Sequence, residues 1–168
     1  MFEQDETPAV EIQRETNVTL PADDAVIAWV GAVLDSVPRA NSAPDALPAG
    51  LGAVCIRFVD DAESASLNAA YRRKQGATNV LSFPAELDLP DFRVWGDLVI
   101  AAPLVAREAQ DQHKPMHDHC AHLIVHGVLH LLGYDHEEAS EADRFEDLER
   151  GVLARFGISD PYAAERLT

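Results

Sequence analysis

Three histidines in the segment HGVLHLLGYDH, residues 126–136, have a spacing that suits metal binding. His126 and His130 are four positions apart, so on a helix their side chains share one face and can reach the same ion. His136 can join them only if the helix ends first, and Gly133 is the residue type that ends helices in the left-handed conformation. Three neutral imidazoles on Zn²⁺ leave a fourth coordination position for water, which is typical of catalytic zinc sites. The segment therefore predicts a zinc site, although three imidazoles also suit nickel, copper or iron.

The same segment leaves alternatives open. His122 precedes His126 by four positions and could compete as a ligand, but a straight stripe of histidines cannot surround an ion from a third direction. The spacing also matches the metzincin protease pattern His-Glu-x-x-His-x-x-Gly-x-x-His, except that Gly127 replaces the Glu that acts as the protease base. A third interpretation is a group of capping and surface histidines without metal. We expect the remaining histidines to be surface residues and Cys120 to be a small core residue; those histidines are His113, His117 and His119.

Hydrophobic periodicity places these residues in an α+β fold, a small mixed sheet of about four strands packed with about five helices. The predicted strands are 9–15, 52–60, 78–84 and 95–102, and the predicted helices are 21–37, 61–74, 103–113, 117–132 and 137–156. Loops are predicted over 38–50 and 85–93. A chain of 168 residues is most simply one domain, residues 1–168.

Composition and charge narrow the function classes. The net charge of −16 argues against a surface that is basic overall, although residues 68–81 contain three basic residues and no acidic one. The acidic N-terminus lacks the features of a signal peptide, and no apolar run is long enough to span a bilayer. We therefore expect a cytoplasmic protein whose two cysteines are reduced thiols.

Three segments together resemble the YbeY family of bacterial metal-dependent endoribonucleases. HGVLHLLGYDH is one of them, SLNAAYRRKQGATNVLSFPAE at 66–86 is the second, and GDLVIA at 96–101 is the third. They occur in the family's order, and the similarity covers roughly residues 52–156. The resemblance implies an α+β fold with a metzincin-like zinc helix and one zinc ion per chain on the three histidines.

The resemblance also implies a function and a set of further residues. Arg72 is then a catalytic residue that holds the scissile phosphate, because a guanidinium is always charged and can bind two oxygens at once. Arg73, Lys74 and Ser82 are candidate substrate-binding residues. Asp135 is a candidate proton acceptor, although a role in the turn before the third histidine is the favoured interpretation.

The activity implied by the resemblance is single-strand-specific, zinc-dependent RNA cleavage in 16S rRNA 3′-end maturation, rRNA processing and ribosome quality control. The implied partners are rRNA, proteins of the small ribosomal subunit and a ribosome-assembly GTPase, with neither DNA nor a membrane. Two alternatives are a zinc-dependent peptidase of metzincin type and a non-catalytic ribosome assembly factor.

Overall fold

A computed structural model of the chain describes residues 9–37, 52–85, 88–89, 92–134 and 139–162. The strands in these ranges are β1 Ala9–Glu15, β2 Gly52–Val59, β3 Val80–Pro84, β4 Asp88–Leu89 and β5 Phe92–Ala101. The helices are α1 Asp23–Ser36, α2 Asp61–Leu67, α3 Ala102–Asp111, α4 Met116–Leu131 and α5 Ala139–Ala154. The α+β fold class predicted from the sequence is confirmed, and the loop predicted over 38–50 lies outside the described residues.

The strands form one mixed sheet in the order β1-β2-β5-β3. β1, β2 and β5 run parallel, and β3 pairs antiparallel to β5, with Val80 opposite Ile100 and Pro84 opposite Gly96. β5 is therefore a central strand, paired on both sides, and its buried segment from Leu98 to Ala101 is almost entirely apolar. Such a continuous apolar run is typical of a strand that is covered on both faces.

The loop predicted over 85–93 is wrong in part. β5 begins at Phe92, and the two-residue strand β4 pairs with its first residues, Asp88 with Arg93 and Leu89 with Phe92. Two residues are too few to show the alternation of polar and apolar side chains by which a strand is recognised in a sequence. The pairing instead extends β5 at its N-terminal end.

α4 is the helix around which the core is arranged. Ten of its 16 residues are buried, and α1 and α5 pack against it on the same side of the sheet. A helix that is apolar over most of its circumference belongs in a protein interior, and the polar residues that it carries there need partners from other elements. Among the helices in the described ranges, none is long and apolar enough to cross a membrane.

Candidate functional site

His126 and His130 converge at the C-terminal end of α4. Their Nε2 atoms are 3.1 Å apart, and both side chains are partly buried. Two imidazole nitrogens that bind one tetrahedral zinc ion at about 2.0–2.1 Å are about 3.3 Å from each other. The pair is thus arranged as two ligands of one ion would be, and the predicted convergence of these two residues is what the structure contains.

The end of α4 has the geometry that the third histidine requires. Gly133 has φ of +93°, its N–H donates to the His130 carbonyl at 3.0 Å, and the Tyr134 N–H donates to the Leu129 carbonyl at 3.0 Å. These two bonds form a Schellman motif, which stops the helix and reverses the chain. Asp135 and His136 lie outside the described residues, so their roles stay predictions.

α5 brings an acidic side chain to the same histidines. Glu149 is fully buried, and its Oε1 lies 3.3 Å from His126 Nδ1 and accepts the Tyr162 hydroxyl at 2.8 Å. Its Oε2 lies 2.8 Å from His122 Nε2, at angles that are not those of a hydrogen bond. Ligand atoms of His122, His126 and Glu149 all lie within 4.8 Å of one another, so these residues form a candidate metal-binding group.

The carboxyl group of Glu149 is held in its charged form. Burial alone would raise its pKa, but the contacts with His122 and His126 outweigh burial and lower the pKa to about 2. At neutral pH, Glu149 is therefore a buried carboxylate that can only accept hydrogen bonds. Its neighbours must supply the protons.

His126 belongs to two sets of donor atoms. Its Nε2 faces His130, and its Nδ1 faces Glu149. The first set, with His130, is the one that the sequence predicts. The second set adds His122 and Glu149, which the sequence did not assign to the metal. Phe145 of α5 covers the first pair, with its ring centroid 4.8 Å from that of His126 and 5.0 Å from that of His130. Both imidazoles are thus packed as well as hydrogen-bonded.

Gly127 stands where a metzincin protease carries its catalytic base, and the structure gives a packing reason for glycine there. A Cβ at this position would lie 2.7 Å from Leu98 Cδ2, and Leu98 is fully buried in β5. α4 approaches the sheet too closely at this point to hold a glutamate side chain. The peptidase alternative therefore lacks both its base and the room for one.

The basic residues lie at the end of α2, where the helix widens. The predicted helix over 61–74 ends sooner: α2 continues as a π-helical turn, Asn68–Arg72, and Arg73 ends it in the left-handed conformation with φ of 56°. Arg72, Arg73 and Lys74 are exposed, and within the described residues their side chains form no ion pair. Tyr71 beside them is 68% exposed, and its ring meets the edge of the Phe83 ring at a centroid distance of 5.2 Å.

Two buried polar side chains fix the segment that follows this turn. Ser64 Oγ donates to the Thr78 carbonyl at 2.8 Å and accepts the Thr78 N–H at 3.1 Å. Asn68 Nδ2 donates to the Gly76 carbonyl at 2.8 Å. The backbone that follows the exposed basic residues is therefore tied back to α2 and to the π-helical turn.

Ser82 lies in the middle of β3. Its neighbours Leu81 and Phe83 lie on the opposite face of the sheet, where they pack with Val59 and Val99. Ser82 therefore lies on the face that α4 covers. Ser82 and the basic residues lie on different elements, β3 and the turn that follows α2. In the described part of the chain, no hydrogen bond or ion pair joins Arg72 to His126 or His130.

One prediction about the remaining histidines is wrong. His119 is 4% exposed, and its Nε2 lies 2.9 Å from Glu108 Oε1, which also accepts a hydrogen bond from Asn79 Nδ2 at 3.1 Å. Its polar partner comes from α3, and nothing in the local sequence of α4 indicates such a partner. His113 and His117 are exposed as expected, and Cys120 is buried, which raises the pKa of its thiol to about 12.

Glu149 is the residue that sequence reasoning missed. It lies in an acidic segment, 137–150, and the other carboxylates of this segment that the structure describes are exposed or partly buried. Its spacing distinguishes it, because Glu149 follows Phe145 by four positions and precedes Val152 by three, which places it on the buried stripe of the helix. An acidic residue at the helical spacing of the core residues is expected to be buried, and a buried carboxylate needs groups that donate hydrogen bonds to it.

Comparisons with known proteins agree with this arrangement. The sequence profile of the family described as Endoribonuclease YbeY matches residues 10–157. A protein named Endoribonuclease YbeY from Stenotrophomonas maltophilia is 52% identical over 152 residues, which cover 88% of each chain. One of the same name from Pseudomonas putida is 47% identical over 156 residues, which cover 92% of each chain. The solution structure of TM1509 from Thermotoga maritima matches with a TM-score of 0.55 over 90% of this chain and 97% of that one; at 20% identity it supports the fold alone.

A buried helix that presents paired histidines beneath a mixed sheet defines an α+β protein with a candidate metal centre. The chain belongs to the YbeY family of endoribonucleases. The family and the enzyme class expected from the three sequence segments are thereby confirmed.

Proposed function

We propose that this chain is a zinc-dependent endoribonuclease, specific for single strands, that acts in 16S rRNA 3′-end maturation, rRNA processing and ribosome quality control. The observation that carries the proposal is the pair of imidazoles on α4, His126 and His130, whose Nε2 atoms lie 3.1 Å apart in a member of an endoribonuclease family. Residues 1–168 are proposed to form one domain, located in the cytoplasm.

The metal ligands in this proposal are His126, His130 and His136. The first two fit a zinc ion by the separation of their Nε2 atoms, and the Schellman motif at Gly133 turns the chain in the way that the third needs. A zinc ion bound there supplies a Lewis acid that activates water and polarises a phosphoryl oxygen. With Gly127 unable to act as a base, proton transfer depends on groups outside that helix position, Asp135 among them.

The basic turn is the proposed phosphate-binding element. Arg72 is assigned to the scissile phosphate, since its guanidinium can bind two phosphate oxygens and stabilise the charge that develops on them. Arg73 and Lys74 are assigned to neighbouring phosphates, and Ser82 to the substrate near α4. None of the three basic side chains is committed to an acidic partner in the described part of the chain, which leaves them available to RNA.

Tyr71 supports RNA as the substrate. It is a large aromatic side chain left 68% exposed beside three cations, and Phe83 holds its ring from one edge. Exposed aromatic rings next to basic residues bind single strands by stacking on unpaired bases, which a duplex does not offer. Proteins of the small ribosomal subunit and a ribosome-assembly GTPase are the proposed protein partners.

The test compares four metal-replete proteins, the wild type and the variants His126→Ala, Arg72→Ala and Arg107→Gln. Each is incubated with single-stranded rRNA, with an RNA duplex and with an unfolded protein. Arg107 is a matched control, because it is a basic surface residue that pairs with Asp61. We expect the wild type and Arg107→Gln to cleave only the single strand.

His126→Ala is expected to lose zinc and activity together. Arg72→Ala is expected to keep its zinc while cleavage slows about 10²–10³-fold, the usual loss on removing one preorganised donor to a transition state. Undiminished RNA cleavage by His126→Ala would refute the metal-dependent mechanism. Binding of zinc and RNA by the wild type without cleavage would favour the assembly factor, and cleavage of the unfolded protein would favour the peptidase.

A further inference from the structure

We propose that Glu149 is a positioning residue for the metal centre, which fixes the tautomer and orientation of His126 without binding the metal itself. The inference rests on the proposed function, because it takes His126 and His130 as ligands of one ion. It assigns a role to a buried acid on α5 that the sequence segments typical of the family do not include.

The first step of the argument concerns the proton on His126. Glu149 Oε1 lies 3.3 Å from His126 Nδ1, and a carboxylate can only accept, so Nδ1 must carry the proton of this bond. A neutral imidazole with its proton on Nδ1 has its lone pair on Nε2. Nε2 is the atom that faces His130 at 3.1 Å. Glu149 therefore selects the form of His126 that can donate to a metal beside His130.

The second step concerns why Glu149 is not a ligand. Oε1 is engaged by Tyr162 and His126, and Oε2 makes a close contact with His122 Nε2 that is not a hydrogen bond. The side chain is fully buried behind the histidines, while His126 is 24% exposed. An ion held jointly by Glu149, His122 and His126 would have to bind Nδ1 of His126, the atom that faces Glu149, and would displace its proton.

The third step concerns what holds Glu149 in place. The Tyr162 hydroxyl donates to it at 2.8 Å, and the Tyr162 ring meets the edge of the His122 ring at a centroid distance of 5.7 Å. Phe145, one turn earlier on α5, packs against the rings of both His126 and His130. α5 thus contributes an apolar wall and a carboxylate at positions four apart, facing two histidines that are also four apart. Histidine ligands in metal sites commonly donate their second ring N–H to such a carboxylate.

The experiment measures zinc affinity by competition with a chelator of known affinity. The proteins are the wild type and the variants Glu149→Gln, Tyr162→Phe, His122→Asn and His130→Asn. Glu149→Gln keeps the size of the side chain and removes its charge, and we expect zinc affinity to fall 10–100-fold. Tyr162→Phe removes one bond to the carboxylate and is expected to lower affinity less than Glu149→Gln does. His130→Asn should lose more affinity than any of the others, and His122→Asn should stay within tenfold of the wild type.

A second readout does not depend on how well the variants fold. Two-dimensional ¹H–¹⁵N spectra of the zinc-loaded wild type should show His126 protonated on Nδ1, with Nε2 bound to the metal. A proton on Nε2 of His126 would overturn the proposal. Equal zinc affinity in Glu149→Gln and the wild type would also overturn it. A loss of affinity in His122→Asn as large as that in His130→Asn would overturn it too, because Glu149 would then be a ligand beside His122.

The failures of the two proposals are distinguishable. A wild-type protein that binds no zinc would overturn both of them. A wild-type protein that binds zinc through His126 and cleaves RNA, with Glu149→Gln unchanged in affinity, would overturn the positioning role and leave the proposed function standing.

Discussion

Histidines on one face of α4 differ from one another by the partner that each meets. His119 meets Glu108 of α3, and His122 and His126 meet Glu149 of α5. His130 meets His126 itself. A row of identical side chains at spacings of three and four thus acquires separate roles, because different elements cross the helix at different turns.

His119 gives a prediction about pH. Burial lowers the pKa of His119, against the opposing effect of its bond to Glu108. Below the ordinary histidine pKa of about 6.5, the unfolded chain binds a proton at this position more readily than the folded chain does. The free energy of unfolding should therefore fall as the pH drops from 7 to 5, and His119→Gln should show a smaller fall, measured by urea denaturation at each pH.

The control for this prediction is His113→Gln, since His113 is exposed. Its replacement should leave the dependence on pH as it is in the wild type. Equal slopes in His119→Gln and the wild type would show that burial of His119 does not contribute to acid sensitivity.

At the scale of elements, the close packing of α4 against β5 determines on which side of α4 the histidines lie. Gly127 lies against Leu98, and Gly96, with φ of +136°, would bring a Cβ against the Phe83 carbonyl oxygen of β3 and to 2.9 Å from Leu131 Cδ2. Two glycines, one on each element, therefore let the helix approach the strand. The histidines then lie on the side of α4 that faces α5, where a carboxylate is available.

The contact at Gly127 predicts a specific change in stability. Alanine in a helix interior is favoured over glycine by about 1 kcal/mol, but overpacking a core typically costs about 1–3 kcal/mol. Because Leu98 is fully buried, we expect the steric cost to prevail and Gly127→Ala to lower the free energy of unfolding by up to about 2 kcal/mol, measured by urea denaturation.

Leu98→Val makes room for the added methyl group and supplies the control. The double variant Gly127→Ala, Leu98→Val should be more stable than the sum of the two single changes predicts. Strict additivity would contradict the steric explanation.

Charge is segregated at the scale of the whole molecule. The chain has a net charge of −16, yet it keeps three consecutive basic residues without an ion pair in the described part, while Arg57 and Arg107 are paired with acids. An acidic surface with one basic turn favours RNA at that turn and disfavours it elsewhere.

This distribution predicts how RNA binding depends on salt. Each phosphate contact to a single strand contributes about 0.7 to the slope of log affinity against log salt concentration. Replacing Arg73 and Lys74 together by Ala should reduce the slope by about 1.4, measured by fluorescence anisotropy with a labelled single strand. Arg107→Gln should leave the slope unchanged, and a double variant with the wild-type slope would place the RNA elsewhere.

Local patterns in the sequence predicted most of the helices and strands, and they predicted the two histidines of the site but not Glu149. The strand at 9–15, the boundaries of α4 within one residue and the helix end at Gly133 were predicted, because alternation, helical spacing and glycine act over a few residues. The short pairing at 88–89 and the π-helical turn at Asn68–Arg72 were not, since the first is too short to show an alternating pattern and the second departs from regular helical spacing for a single turn.

The sequence by itself determined that His126 and His130 share a helix face and that the helix stops at Gly133, because both are consequences of local backbone geometry. Only the tertiary structure decided which atoms face them. Glu149 lies 23 residues beyond His126, and nothing local to either residue brings them together. Their meeting depends on the packing of α5 against α4, in which the apolar stripe of α5 carries one acid into the core. A buried carboxylate is stable there only beside groups that donate to it.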